Sequence, residues 1–470
     1  MKSLLLEPDE YRAAARRLGE FLSSYEETLA DRPVFPELNR EALASILTES
    51  LPEAGRPIDA LFDELRDLII PNSTQIAHPR FLAYVLASPT GVAPFAEAVA
   101  AALNQNCNLW TLSPAATAIE LKVISWFLDL FGFKEGGGII TSGGSMANLS
   151  ALAVARDRQH PGDPRGDGIQ TMRTPLVLYA SEETHNSLDK AAAILGIGLR
   201  NLRRIPSDEE FRIRLDLLRE RVHKDRREGL LPFCVVGNAG TVTTGAIDPI
   251  EELAEFCAVE DLWLHVDGAY GAFAILSRHH QEALSSIQRA DSLTLDPHKL
   301  LFMPLEAGCV LFRDTAEWRK VFSFAPTYLS MPDEPSLLHF AEYGPQLSRG
   351  FKALKIWWSL RAFGRRAYMQ AIEHLLDLAS YMGESISAHP AFELMAPIGL
   401  TAVCFRLRDW NDARNEAALS TLVSGGVAFL GPARVKGRFA LRACFTNLRT
   451  SRGDVDLILE ELLRVAEAGA

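Results

Sequence analysis

From about residue 78 to 325 the chain repeats one unit: a short apolar run, a turn of small and polar residues, then a stretch of helical length. The runs lie at 138–141, 176–180, 233–237, 262–266, 292–295 and 308–312, with helical segments such as 145–158 and 250–259 between them. Runs of Val, Leu and Ile without a sustained polar face must be covered on both sides, which a mainly parallel sheet between helices provides. The fold class read from this pattern is α/β. Such sheets gather ligands at the carboxyl ends of their strands, so the residues just after each run are where chemistry is to be sought.

The flanks read differently. Residues 1–77 are helical and amphipathic, for example 11–29 and 58–70, broken by Arg32-Pro33-Val34-Phe35-Pro36. Their apolar faces need a partner surface, either the main body or another subunit. Residues 313–350 carry Pro326, Pro332, Pro335 and Pro345 and form no long periodic run. Helices are expected at 351–363 and 366–389, strands around 402–407 and 439–444, and a last helix near 454–466. The division expected is an N-terminal helical segment (1–77), a large domain (78–345) and a smaller C-terminal α+β domain (346–470).

A net charge of −12 disfavours nucleic acid or an anionic membrane as the main partner. The six cysteines are scattered, with no Cys-x-x-Cys pair, which fits reduced thiols in a cytoplasmic protein and gives no metal signature. The N-terminus reaches acidic residues within a few positions, unlike a signal peptide, and no window of about 18 apolar residues is free of charge. A soluble protein with no membrane span is expected.

Two strand ends carry the most telling side chains. Asp267 ends Leu262-Trp263-Leu264-His265-Val266, and Lys299 lies in Asp296-Pro297-His298-Lys299 after Ser292-Leu293-Thr294-Leu295. A lysine set between apolar segments can condense with an aldehyde, and a buried carboxylate needs a cationic N–H partner. Pyridoxal 5′-phosphate (PLP) presents both groups: an aldehyde for Lys299 and a pyridine nitrogen for Asp267. Ala269 is small enough to let a flat ring lie against this strand end. Upstream, Ser142-Gly143-Gly144-Ser145 joins a strand to a helix, where backbone amides and the helix N-terminus favour phosphate. Asp296 and His298 flank the lysine and could close that phosphate site.

Local sequence leaves other positions open. His185, in Thr184-His185-Asn186-Ser187, reads equally as a helix-capping histidine in water and as an imidazole stacked on a cofactor ring. The run from Asn238 to Gly245 offers hydroxyls near the same rim or is simply a polar loop. A loop tyrosine such as Tyr328 is usually packing, although a phenol on a closing loop can serve as a general acid.

Several motifs together resemble the group II PLP-dependent decarboxylases, the aromatic-L-amino-acid decarboxylase-like enzymes, over about residues 75–450. They are His78-Pro79-Arg80-Phe81, Leu112-Ser113-Pro114-Ala115-Ala116-Thr117, Ser142 to Asn148, Leu262 to Tyr270, Asp296 to Lys299, Pro326 to Leu329 and Phe351-Lys352-Ala353-Leu354-Lys355. The resemblance implies the fold type I architecture and a homodimer with its N-terminal segment wrapped around the partner and its active site at the interface. It implies that Lys299 carries PLP covalently, Asp267 pairs with the ring nitrogen, His185 stacks on the ring, and Gly143, Gly144 and His298 hold phosphate. It makes Tyr328 the acid that reprotonates Cα, where members that form aldehydes typically have Phe. Tyr84, Val85, Asn106 and Asn108 match the substrate wall; the two asparagines stand where apolar or aromatic side chains are expected, and Asp296 stands where animal members have Asn. The activity so implied is decarboxylation of an L-amino acid to its amine, with an aromatic substrate favoured. Oxidative conversion to an aldehyde and decarboxylation of an acidic amino acid are the alternatives.

Overall fold

All six apolar runs become strands of one seven-stranded sheet. The computed structural model describes residues 4–160, 162–171, 173–324 and 338–468. In chain order the strands are β1 (Phe81–Leu82), β2 (Gly137–Thr141), β3 (Leu176–Ser181), β4 (Leu202–Ile205), β5 (Leu231–Asn238), β6 (Trp263–Asp267), β7 (Ser292–Leu295), β8 (Gly308–Phe312), β9 (Phe392–Leu394), β10 (Ala402–Leu407), β11 (Phe429–Val435) and β12 (Arg438–Cys444). The large sheet runs β2-β8-β7-β6-β5-β3-β4. Neighbours from β7 to β4 are parallel, and β8 alone runs against β7 and β2.

The seventh strand, β4, has no counterpart among the runs read from sequence. Its centre is Arg203-Arg204, and as an edge strand it can spend both on carboxylates: Arg203 Nε lies 3.1 Å from the buried Asp225 and Arg204 Nη2 lies 2.6 Å from Asp189. Between β2 and β3 the helix Gly144–Gln159 packs against β2 and β5 to β8. Its alanines at 147, 151, 153 and 155 bring it close to the strands, while Leu152 and Val154 are fully buried. Burial of each such side chain contributes roughly 1.5–3 kcal/mol.

The smaller sheet runs β1-β11-β12-β10-β9. Residues 81–82, grouped by sequence with the large domain, pair instead in parallel with Phe429 and Leu430. A two-residue strand has no periodicity to announce it. The helix Ala353–Ala388 joins the two bodies and is interrupted at Gly364 (φ 72°, ψ 161°). Before that point Ser359 bonds Thr90, and Lys355 bonds the Pro304 carbonyl. Beyond it His374 bonds the Thr450 carbonyl and Tyr381 bonds Asp456.

The N-terminal helices Pro8–Thr28, Arg40–Thr48 and Ile58–Glu64 bury none of their residues within the chain. Between the first two of them, Val34 is tied to the small domain through the Gly426 carbonyl (2.8 Å), and Phe35 packs edge-on against Phe429. Among the described residues no helix is long and apolar enough to cross a membrane.

Candidate active site

Because side chains alternate along a strand, Trp263, His265 and Asp267 share one face of β6. Asp267 lies at its carboxyl end, beside Asn238 of β5 and Thr294 of β7. Its Oδ2 accepts from Asn148 Nδ2 at 2.8 Å and its Oδ1 from the Ala269 amide at 3.1 Å. The carboxylate is 7% exposed, and the exposed part faces a cavity of about 370 Å³.

Lys299 enters the same cavity from the turn after β7, which is closed by its own amide on the Asp296 carbonyl (2.9 Å). Its Nζ lies 3.1 Å from Asp296 Oδ2. Asp296 is 2% exposed, and its Oδ1 has no hydrogen-bond partner among the described residues. His298 Nδ1 donates to the Ala307 carbonyl at 2.6 Å, and its Nε2 lies 3.6 Å from Asp296 Oδ2. Burial, the largest influence, holds His298 below the usual histidine range.

Ser142 to Ser145 form the wall opposite, where the amides opening the helix have no intrahelical acceptor. Gly144 is required by space: a β-carbon there would stand 2.9 Å from Asp296 Oδ2 and 3.1 Å from the Ala269 side chain. His185 lines the cavity too, and its Nδ1 accepts from the Ser187 amide (3.1 Å) at the start of the helix Ser187–Ile194. It caps a helix and faces the site at once. One edge stays exposed, while loss of water on the packed side, the largest influence, lowers its pKa.

Every residue read as cofactor-binding thus lies on this one cavity: Gly143, Gly144 and Ser145 on the helix side, His185 and Ala269, Asp267 at the floor, and Asp296, His298 and Lys299 on the turn. Sequence reasoning missed Tyr270, Leu305 and Glu306 in the lining; nothing local sets them apart. From the 238–245 run Asn238, Gly240 and Val242 face the cavity, whereas the Thr241 and Thr244 hydroxyls turn inward and bond each other (3.0 Å). Tyr84, Val85, Asn106 and Asn108 are outside the lining of this cavity in the single chain. Tyr84 is half exposed with its ring against Phe429. Asn106 Oδ1 accepts from the Arg349 amide (3.0 Å) and the Asn108 carbonyl from the Ala341 amide (2.9 Å), so both asparagines anchor the segment after residue 338. Tyr328 lies outside the described residues.

The site fits PLP on its own chemistry. A glycine cradle at a helix N-terminus suits a phosphate, the Lys299 amine suits an aldehyde, and a carboxylate held by an amide side chain suits a protonated ring nitrogen. The unpartnered Asp296 Oδ1 is a buried polar atom still lacking a donor.

Comparison with known proteins agrees with this reading. The pyridoxal-dependent decarboxylase conserved domain matches residues 40–408. The aromatic-L-amino-acid decarboxylase of Bacillus atrophaeus is 35% identical over 476 residues, covering 99% of this chain and 97% of that protein. The histidine decarboxylase of Homo sapiens is 30% identical over 465 residues, covering 96% of this chain and 70% of that one. The crystal structure of Oryza sativa TDC with PLP and tryptamine superposes with a TM-score of 0.93 at 27% identity, covering 99% of both chains. With the cavity, its lysine and its carboxylate in place, the chain belongs to the pyridoxal-dependent decarboxylases, PLP-dependent carboxy-lyases acting on amino acids.

Proposed function

We propose that this enzyme decarboxylates an aromatic L-amino acid to the corresponding amine. The observation that carries this reading is the charge of the cavity. Among its described lining residues Lys299 is the one lysine or arginine, and Asp267, Asp296 and Glu306 oppose it. His185 and His298 are both held toward the neutral form. An acidic side chain would find no second cation there and would meet carboxylates. A flat uncharged ring meets no such penalty and finds apolar surface at Val242, Tyr270 and Leu305. The similarity to the Bacillus atrophaeus enzyme, and to a neighbour crystallised with tryptamine, supports the same class.

In this reading PLP, when bound, supplies an electron sink for the Cα–carboxylate bond. Lys299 Nζ is the amine that would hold the cofactor through its aldehyde. Asp267 holds a proton on the ring nitrogen, Asn148 keeps that carboxylate in place, and the amides at Gly143 to Ser145 receive the phosphate. His185 covers one face of the ring. Tyr328 delivers a proton to Cα, a role that rests on the family resemblance. The enzyme works as a homodimer, as the exposed apolar side chains Leu4, Leu5, Leu47 and Leu51 support. Six buried unpaired cysteines suit a cytoplasmic setting.

The test is product analysis by mass spectrometry after incubating PLP-loaded protein with a pool of L-amino acids. Loss of one carboxyl from Phe, Tyr, Trp or His, with the amine as product, is the expected result. An amine derived from Glu or Asp would overturn the substrate class, and aldehyde with ammonia would overturn the reaction type. Tyr328→Phe should then divert product toward aldehyde; an unchanged amine yield would remove Tyr328 from the mechanism.

A further inference from the structure

Beneath Asp267 lies a line of hydrogen bonds of which the proposed chemistry uses only the last link, from Asn148. Trp263 Nε1 donates to Ser292 Oγ (2.8 Å), Ser292 Oγ meets His265 Nδ1 (2.9 Å), and His265 Nε2 meets Asn148 Oδ1 (3.0 Å). Asn148 Nδ2 then donates to Asp267 Oδ2 (2.8 Å) and also reaches Ser187 Oγ (3.0 Å). Asn148, His265 and Ser292 are each 1% exposed or less. The sequence separations are 27 residues from His265 to Ser292 and 117 from Asn148 to His265, so only the folded sheet and its covering helix bring the groups together.

The direction of the line is fixed from its ends. An indole N–H can only donate and a carboxylate can only accept. Asn148 must therefore turn its nitrogen to Asp267 and its oxygen to His265. That oxygen requires a proton on His265 Nε2. A neutral imidazole protonated at Nε2 has an acceptor at Nδ1, to which Ser292 Oγ–H donates. Burial, the largest influence, takes His265 down to about 4, in keeping with the neutral ring this arrangement needs. Thr294 Oγ1 lies 3.4 Å from Nε2.

We infer that His265, backed by Ser292 and acting through Asn148, is a positioning residue that locks the Asp267 carboxylate as an acceptor and so sets how firmly the cofactor's ring nitrogen keeps its proton. The inference rests on the reading that Asp267 faces that nitrogen. Without the His265 N–H the Asn148 amide is free to flip, and its oxygen would then repel Asp267.

The test loads the enzyme with PLP labelled with ¹⁵N at the ring nitrogen and records that nucleus by NMR, together with the Kd for PLP. In His265→Leu the signal should move toward the unprotonated position and Kd should rise by about tenfold, the scale of loss when a ligand's supporting hydrogen bond is removed. In His265→Gln, whose amide nitrogen can take the place of Nε2, both should return near the parent values. Ser292→Ala should move the signal the same way by less, and it serves as the probe if His265→Leu does not fold. A signal and Kd unmoved in the His265 and Ser292 variants, with Asp267→Asn moving both, would overturn the relay and leave the Asp267 reading standing. A signal unmoved in Asp267→Asn would overturn the Asp267 reading and the relay with it.

Discussion

The helices Pro8–Thr28 and Gly144–Gln159 belong to the same chain but differ in how completely it surrounds them. The longer one buries none of its 21 residues, whereas the shorter one buries nine of 16 and delivers Asn148 to the active-site carboxylate. Near Gly144–Gln159 polar groups find partners inside one chain, from Trp263 through to Asp267. Around the first helix apolar surface is left uncovered, with Leu5 just before it at 82% and Tyr11 within it at 61% exposure. Four residues assigned to the substrate wall also stand off the cavity. The residues read as cofactor-binding are thus brought together within one chain, whereas the four proposed for the substrate wall are not brought to that cavity.

Substitutions can test this contrast, beginning with the largest effect. Lys299→Ala should lower turnover by more than about 10³-fold and abolish the visible absorbance of lysine-bound cofactor, as expected when a covalent group is removed; a variant turning over normally would refute the site. If the proposed dimer buries Leu47 and Leu51, Leu47→Asp combined with Leu51→Asp should raise its concentration for half-dissociation by at least about 10²-fold, since an isologous interface would count each leucine twice. Light scattering checks it, and the Kd for PLP should change far less. Gly144→Ala should weaken PLP by about tenfold, because the new methyl presses on Asp296 and Ala269 inside the cradle; fluorescence titration reads this, and an unchanged Kd would mean that the cradle yields.

The smallest effect concerns acid. His265 has an ordinary value of 6.5 and sits near 4 in the fold. The unfolded chain therefore binds a proton first, so the histidine's stabilising contribution is complete above pH 6.5 and is lost as pH falls toward 4. Asp248, pushed up to about 6 by burial, has the opposite sign and loses its contribution as pH rises through that value. In the difference between parent and His265→Gln the Asp248 effect cancels. The parent's advantage in Tm should shrink by about 3 °C between pH 6.5 and 4; a difference independent of pH would contradict a neutral buried imidazole.

What could be read from sequence follows from the range of the interactions involved. Strands β2, β3 and β5 to β8 announce themselves because continuous burial writes continuous apolar runs. β4 does not, because its two arginines answer acids 22 and 15 residues away, and β11 is interrupted by Gly431, Pro432 and Arg434. Lys299 and Asp267 are legible because a charged side chain directly after a buried strand is locally costly. Asn148 was visible only as part of a glycine-rich turn, and its bond to Asp267 spans 119 residues. His265 offered one clue, its place two residues before Asp267 on an otherwise apolar strand. Asn106 and Asn108 could be matched to a wall by resemblance, but their work in anchoring the segment after residue 338 depends on Arg349 and Ala341, which only the fold brings near.

The break at Gly364 has a mechanical meaning. One arm of the 36-residue helix is fastened to the large body and the other to the small one. A backbone at φ 72° and ψ 161° is open essentially to glycine alone, and nothing lies within 4 Å of where a β-carbon would stand. A side chain at this position would therefore be resisted by torsion and not by collision. The relief would come from swinging one arm against the other, so the angle between the two arms of the helix is set by the torsions of a single residue.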